Sequence, residues 1–404
     1  MIRMFAAAAA LLALVASPAR AQIDDALRFQ LETGYEQGFL QPGPKSPYVY
    51  LYVNRPNIHN SSATLRMALA PVYLDTELGI RKAFGDFADA GIGFSGGGWA
   101  FGQTEVFRGD EKRGEEFVGH GGGPSVSLYP HFGNLGPAPL NGVLRVSGTY
   151  ADYRRSRSTA PQFALPDNEW TAAFRAGLRY GGQPPGLDRA PAGEASVWVE
   201  RRQREHSVAY GYNGDRLAEG ETNLYWTRLL FAYTLKDGII MGAGVNAGGG
   251  AGVDRFSAYR LGGMLLNNSE FPLAIPGYFG QEIAASRFAH VWLRGGLPLD
   301  DAKRFVFNVF AAGATITPVT GTDAGGAQHL GLGTGLEFAP RRAALKGMIS
   351  YGYAPTAARG SGRGGQGVAL SLELDFNPAK YTATRRAPPD MQQGMRWLLG
   401  PFQP

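Results

Sequence analysis

Two short motifs in the sequence match patterns that carry hydrolytic chemistry in other proteins. The Gly-Phe-Ser-Gly-Gly stretch at 93–97 has the spacing of a nucleophile elbow, and His-Gly-Gly-Gly at 120–123 matches a glycine-rich oxyanion pattern. In an α/β-hydrolase the glycine pattern precedes the serine, and the serine sits between a strand and a helix. Here the order is reversed and no helix is predicted after the serine. The sequence therefore predicts no catalytic site and no enzyme.

Other motifs that could hold a cofactor or a metal are equally weak. The G-x-G-x-x-G pattern at 362–367 falls in a predicted hairpin, so no helix N-terminus stands ready for a pyrophosphate. The six histidines show no metal-ligand spacing. Because the chain has no cysteine, thiol nucleophiles, disulfides and cysteine-bound metals are excluded. We predict neither cofactor nor metal.

Charged side chains instead recur at alternate positions of otherwise apolar segments. In segment 169–180, Arg175 and Arg179 lie on one face, while Trp170 and Phe174 lie on the other. Such charges are expected to line a wet interior, where they form either a charge-lined pore or ion pairs that stiffen the wall. The residues predicted to face this interior are Arg145, Arg175, Arg179, Arg228, His290, Arg294, Lys346, Glu200, Glu337, Glu373 and Asp375.

This period of two extends over most of the chain and indicates β-strands. The segments run for roughly 9–15 residues, and tilted strands of about 9–11 residues are what crossing a membrane requires. Many apolar faces end in aromatic residues, as in interfacial girdles. A soluble β-sandwich also alternates, but its strands are shorter. Predicted strands lie at 46–55, 62–84, 88–108, 124–132, 140–153, 169–180, 194–211, 222–235, 238–248, 286–299, 304–315, 328–339, 344–353 and 365–376.

The predicted fold class is all-β: a transmembrane antiparallel β-barrel. Splitting 62–84 near Asp75 and accepting a further strand at 27–38 gives sixteen strands, while doing neither gives fourteen. Both counts are even, as closure with both termini on one side requires, and sixteen is favoured. Short connections alternate with long ones, as between periplasmic turns and external loops.

The ends of the chain have their own composition. Residues 1–21 combine Arg3, an apolar run and a small-x-small end, the order of a secretory signal peptide, so export to the outer membrane is expected. Residues 22–45 then form an N-terminal segment that can include a first strand. The barrel spans 46–376, and 377–404 is expected to be a periplasmic tail.

Net charge excludes one class of partner and a local cluster suggests another. The formal charge is +5, without the stripe of Lys and Arg that nucleic-acid binding needs. Arg154, Arg155 and Arg157 lie in a predicted external loop, and guanidinium groups suit lipid phosphates. We therefore predict contact with outer-membrane lipid or lipopolysaccharide, and a monomer.

One region resembles a known family. The stretch from Tyr259 through Gly262 and Gly263, followed by Ile-Pro-Gly-Tyr-Phe-Gly at 275–280, resembles the outer-membrane protein 85 superfamily of BamA/TamA-like surface-antigen barrels. Those proteins carry a Leu-Gly-Gly strand end, a long external loop with a Val-Arg-Gly-Phe/Tyr tetrad, and five closing strands. Five predicted strands follow Tyr278 here.

The resemblance implies a sixteen-stranded barrel with this long external loop folded into the lumen and a weak seam between the first and last strands. Gly277 would allow the tight tip, and Tyr278 would contact the inner wall. The family arginine falls on Pro276, so its charge-assisted contact with the wall is expected to be absent. No room for POTRA modules is seen after Gln22, so a barrel-only member is expected.

Three functions stay open on the sequence alone. The first is a non-enzymatic surface-antigen barrel that assists transport or outer-membrane assembly, with an unknown periplasmic partner protein. The second is a passive porin-like channel for small solutes. The weakest is an outer-membrane lipase-type enzyme.

Overall fold

The computed structural model describes residues 23–24, 27–39, 43–135, 138–182, 192–235, 237–265, 272–322, 325–338, 345–360 and 362–376. Within these ranges, no helix has both the length and the apolar character needed to cross a membrane. The expected signal peptide at 1–21 and the expected tail at 377–404 lie outside the described residues.

Sixteen antiparallel strands form a closed barrel in which each strand pairs with its sequence neighbours and the last pairs with the first. The all-β fold class is confirmed, and sixteen is the correct one of the two strand counts. The strands are β1 (Arg28–Gly38), β2 (Ser46–Pro56), β3 (Ala63–Ala70), β4 (Tyr73–Ile80), β5 (Ala88–Gly97), β6 (Phe117–Leu135), β7 (Ala138–Arg155), β8 (Glu169–Gly182), β9 (Ala192–Arg204), β10 (Glu221–Thr234), β11 (Ile240–Ala251), β12 (Ile283–Pro298), β13 (Phe305–Pro318), β14 (Gln328–Phe338), β15 (Leu345–Arg359) and β16 (Gly362–Asp375).

Successive residues of each strand point alternately into the lumen and to the outside. In β9, Trp198, Glu200 and Arg202 are buried, whereas Val197 and Val199 are each 53% exposed on the outer face. Closure of the sheet pairs every strand edge, so an apolar outer face can meet hydrocarbon without unsatisfied backbone groups. The two-residue period therefore builds a membrane-facing belt and a separate interior.

The seam between the first and last strands is continuous. β1 and β16 pair over nine consecutive residue positions, from Gln30–Asp375 to Gly38–Gly367. By comparison, β2 and β3 share six positions and β4 and β5 share seven. In length of backbone pairing, this seam is thus not the weak point that the family resemblance implies.

Several predicted strand ends differ from the observed ones. The split in 62–84 falls at residues 71–72, and Asp75 lies inside β4, where it accepts a hydrogen bond from Arg66 on β3 (3.0 Å). The strand predicted at 88–108 ends at Gly97, and β6 begins at Phe117, earlier than predicted. The glycines at 121–123 therefore lie within a strand, where a Cβ on Gly123 would lie 1.7 Å from a backbone oxygen of β7.

Long connections gather at one end of the barrel, here named the loop end, and the opposite end is named the turn end. At the loop end, short strands at Phe163–Ala164, Val208–Tyr212 and Arg216–Ala218 form a small sheet. Phe117 of β6 packs against this sheet, with its ring centroid 6.4 Å from that of Tyr210. These contacts form a cap over part of the barrel.

Candidate functional site

The connection between β11 and β12 is described at 252–265 and 272–282; these two segments turn back into the barrel and are named the lumen loop. Its Tyr259–Leu261 segment adds to the start of β12, and Gly263 pairs with Ile275 farther along the loop. Leu261 and Ile275 are fully buried. The insertion of the long loop into the lumen, which the resemblance implies, is therefore confirmed.

The tip of the lumen loop lies in a groove made of glycines on β14, β15 and β16. A Cβ atom on Gly331 would lie 2.2 Å from the carbonyl oxygen of Pro276, and one on Gly352 would lie 2.5 Å from the amide nitrogen of Gly277. One on Gly365 would lie 2.4 Å from the carbonyl oxygen of Gly277. Gly277 itself has a φ of +86°, a conformation that a side chain would strain. The tip thus fits because the wall positions that face its backbone lack side chains.

Tyr278 follows the tip and lies against the inner wall. Its hydroxyl group hydrogen-bonds with Nδ1 of His329 (2.9 Å) on β14 and with the hydroxyl of Thr356 (3.1 Å) on β15. Burial raises the pKa of Tyr278 to about 12, so the phenol stays protonated and keeps its donor. Tyr278 therefore fixes the height of the tip within the barrel.

A buried ion pair ties the lumen loop to the wall beside Tyr278. Arg359 of β15 binds both carboxylate oxygens of Glu282, with N–O distances of 2.5 and 3.1 Å. The same guanidinium donates to the carbonyl oxygen of Gly277 (3.3 Å) and lies 4.8 Å from the ring centre of Phe279. The expectation from Pro276 that a charge-assisted contact is absent is therefore wrong. The contact exists with its charges exchanged: the arginine is on the wall and the carboxylate is on the loop.

Both side chains of this ion pair are buried, which makes the loss of either one costly. The side chains of Arg359 and Glu282 are 4% and 7% exposed. Burial raises the pKa of Glu282, while Arg359 and the amide of Phe279 act in the opposite direction. A bidentate pair of this kind is stronger than a neutral hydrogen bond, and removing one partner would leave the other charge buried and uncompensated.

A second anchor comes from the first strand. Glu36 of β1 accepts hydrogen bonds from the backbone amides of Met264 (3.0 Å) and Leu265 (3.4 Å). Both of these side chains pack with Ala369 of β16. The lumen loop thus contacts both strands of the seam.

The lumen contains an apolar layer where the lumen loop meets the wall, although the sequence predicts a wet, charged interior. The lumen loop and the wall of β9 to β15 share one hydrophobic cluster. His290 takes part in the same layer, with Nε2 3.0 Å from the carbonyl oxygen of Ala274 and Nδ1 3.2 Å from the amide of Asn246. The buried members of the hydrophobic cluster are Trp198, Leu224, Trp226, Tyr259, Leu261, Leu273, Ile275, Tyr278, Ile283, Ala285, Phe288, Ala312, Ala314, Ile316, Ala354 and Ala357.

The predicted lumen charges face the interior and meet opposite charges there. The pairs are Arg175 with Glu200, Arg294 with Glu337 (2.8 Å), Lys346 with Glu373 (3.4 Å), Arg145 with Glu77 (2.7 Å), and both Arg179 and Arg228 with Glu194 (3.8 Å each). Of the two interpretations left open by the sequence, this geometry favours pairs that stiffen the wall. Among the described residues, no group of three or more acidic or histidine side chains could hold a metal ion.

The three arginines predicted to contact lipid lie at the end of β7 and in the connection that follows it, at the loop end of the barrel. Arg154 pairs with Asp152 (2.6 Å) and remains 65% exposed. Arg155 donates to the carbonyl oxygens of Ala160 and Phe163 (2.8 Å each), and Arg157 is exposed. Two of the three guanidinium groups therefore already have partners within the protein.

Sequence reasoning missed the two ends of the loop anchor. Glu282 lies two residues beyond the motif at 275–280, and Arg359 lies between the strands predicted at 344–353 and 365–376. β15 in fact continues to Arg359 through a register shift between Ala354 and Ala358. The available signal was Glu282 itself, an acidic residue close to the motif. Its partner Arg359, however, is 77 residues away along the chain.

Comparison with known proteins gives likenesses in structure. No protein-family model and no curated protein matches the sequence. CdiB from Escherichia coli aligns with a TM-score of 0.59 at 12% identity, over 86% of this chain and 63% of that one. CdiB from Acinetobacter baumannii gives 0.54 at 11%, over 87% and 60%. BamA from Haemophilus ducreyi lacking POTRA domains 1–3 gives 0.54 at 12%, over 87% and 71%.

At these identities the likeness concerns the fold. The chain spans less than two thirds of the length of either CdiB structure. Its barrel is similar in fold to the BamA and CdiB structures, in agreement with the fold that the loop motif predicts.

Proposed function

We propose that this chain is an integral bacterial outer-membrane protein, without enzymatic activity, that acts in transport or outer-membrane assembly. In its resting state the lumen loop closes one half of the barrel. The observation that carries this proposal is the fit of the loop tip into the glycine groove, secured by Arg359 and Glu282. A loop held in the lumen by these contacts favours a barrel that is closed at rest over an open solute pore.

Planar-bilayer conductance tests the proposal. The wild-type barrel is expected to show small, flickering currents, because the loop obstructs the lumen. Deletion of 265–282 should produce larger and steadier currents, because the obstruction is lost while the sixteen strands remain. Large steady currents from the wild-type protein, or no change on deletion, would contradict the proposal.

A passive channel for small solutes is the second candidate. It is favoured by a cavity of about 680 Å³ in the other half of the lumen, lined by β2 to β9. Steady conductance of the wild-type protein that is unaffected by changes in the lumen loop would support this candidate over the first.

The proposed surroundings follow from the same barrel. The apolar outer belt supports an outer-membrane location, and monomeric assembly is proposed because the barrel closes on itself. The exposed Arg154 and Arg157, with Arg155, support lipopolysaccharide contact at the loop end. Equal retention of lipopolysaccharide by a variant lacking all three arginines would contradict that contact.

A further inference from the structure

The cavity beside the lumen loop has the size of a small-molecule site. Its volume of about 680 Å³ lies within the range of roughly 300–1,000 Å³ typical of ligand pockets. The walls are the lumen faces of β2 to β9, and the lumen loop closes one side through Ala258, Leu265 and Gln281. The cavity is therefore distinct from the groove that holds the loop tip.

One wall of the cavity presents guanidinium groups around a single carboxylate. Glu200 accepts hydrogen bonds from Arg175 and from Nε of Arg202 (2.5 Å). Nη2 of Arg202 is buried and has no hydrogen-bond partner among the described residues. A buried guanidinium donor without an acceptor is costly and calls for an explanation. An anionic group in the cavity would supply the acceptor after a small side-chain adjustment.

The lumen loop adds positive charge on the facing side. Arg255 and Arg260 both line the cavity, and Arg255 lies 3.1 Å from Glu105. Burial alone would raise the pKa of Glu105, but the two guanidinium groups outweigh it and hold that pKa below its ordinary value. Positive charge thus dominates this part of the lining, whereas Arg204 nearby is matched by Asp254 and Glu169.

The remaining lining suits a hydroxylated molecule. Short hydroxyl side chains of β5 to β8 form a strip along the cavity, where they can both donate and accept hydrogen bonds. Tyr48 and Tyr50 of β2, whose ring centres are 6.0 Å apart, add an aromatic surface on which the apolar face of a sugar ring can pack. The hydroxyl residues are Ser95, Ser125, Ser147, Thr149 and Thr171.

We propose that this cavity binds a monosaccharide-sized sugar that carries a carboxylate or a phosphate, with the anionic group held by Arg202. Ring hydroxyls then hydrogen-bond with the Ser and Thr strip. This binding depends on the proposed function only insofar as the lumen loop forms one wall of the site.

Isothermal titration calorimetry on the folded full-length protein tests the site, with glucuronate, glucose 6-phosphate and neutral glucose as probes. Both anions should bind, and glucose should bind at least tenfold more weakly, about the worth of one charge-assisted hydrogen bond. The two anions separate carboxylate from phosphate preference. Heat-modifiable gel mobility verifies that each variant is folded.

Three substitutions should change the affinity for anions in three different ways: one weakens it, one strengthens it and one leaves it unchanged. Arg202→Gln should weaken anion binding about tenfold or more, and Glu200→Gln should strengthen it because a competing carboxylate is gone. Arg201→Gln is the matched control, since Arg201 points outward and pairs with Glu221 at the surface; it should change nothing.

Failure of this site can be told apart from failure of loop closure. No anion binding, equal binding of glucose, or an unchanged affinity in Arg202→Gln would overturn the site. An effect of Arg201→Gln as large as that of Arg202→Gln would also overturn it. If the wild-type barrel binds glucuronate but conducts as a steady open pore, the site stands and the proposed function falls.

Discussion

Replacing Arg359 with glutamine is expected to release the lumen loop and raise the open probability of the barrel at least a hundredfold. The substitution leaves the carboxylate of Glu282 buried without its cation, and breaking one side of a buried pair costs about 3–5 kcal/mol. The loop can avoid this cost by leaving the wall, because water then solvates Glu282. Single-channel recording in planar bilayers measures the effect.

The double variant Arg359→Gln/Glu282→Gln is the control for this prediction. It removes both charges, so no buried charge is left uncompensated, and two amides can still hydrogen-bond. We expect its open probability to lie much closer to that of the wild type than to that of Arg359→Gln. Equal opening in the single and double variants would show that the ion pair does not hold the loop.

The second large effect is expected from two methyl groups. In Gly331→Ala/Gly352→Ala, the new carbons would lie 2.2 and 2.5 Å from backbone atoms of Pro276 and Gly277. Both distances are far shorter than a van der Waals contact, and backbone atoms cannot rotate away as a side chain can. The tip must therefore leave the groove, and conductance should rise to the level of the loop deletion.

The barrel itself should tolerate these substitutions, since alanine is no worse than glycine within a strand. Gly148→Ala is the matched control, because a Cβ at Gly148 meets no atom within 4 Å. It should conduct as the wild type does. A closed Gly331→Ala/Gly352→Ala barrel with normal heat-modifiable mobility would refute the groove.

The barrel was accessible from sequence because its cause is local. Alternation of side chains depends on the neighbouring residue alone, so faces such as Val197 and Val199 against Trp198 and Glu200 can be read directly. The ends of strands were less accessible. Asp75 reads as a turn residue, but inside β4 it is stabilised by Arg66 across the sheet, a contact that local pattern does not contain.

The loop anchor depends on contacts between distant parts of the chain. Gly331 and Gly352 read as small residues of a wet lumen, and only the position of Pro276 explains them as a groove. Arg359 and Glu282 lie 77 residues apart, so neither reveals the other. The position of Pro276 in the family motif shows that the arginine is lost from the loop, but it does not reveal the arginine that replaces it on the wall.

Thiol accessibility at the loop tip tests the central claim, that the lumen loop is packed inside the barrel. The chain has no cysteine, so Ile275→Cys introduces a single thiol at a position that is fully buried. A charged maleimide should leave the folded protein unlabelled and react fully after boiling, whereas Trp99→Cys, at a position 57% exposed at the loop end, should react at once. Labelling of Ile275→Cys in the folded barrel as fast as that of Trp99→Cys would contradict the account.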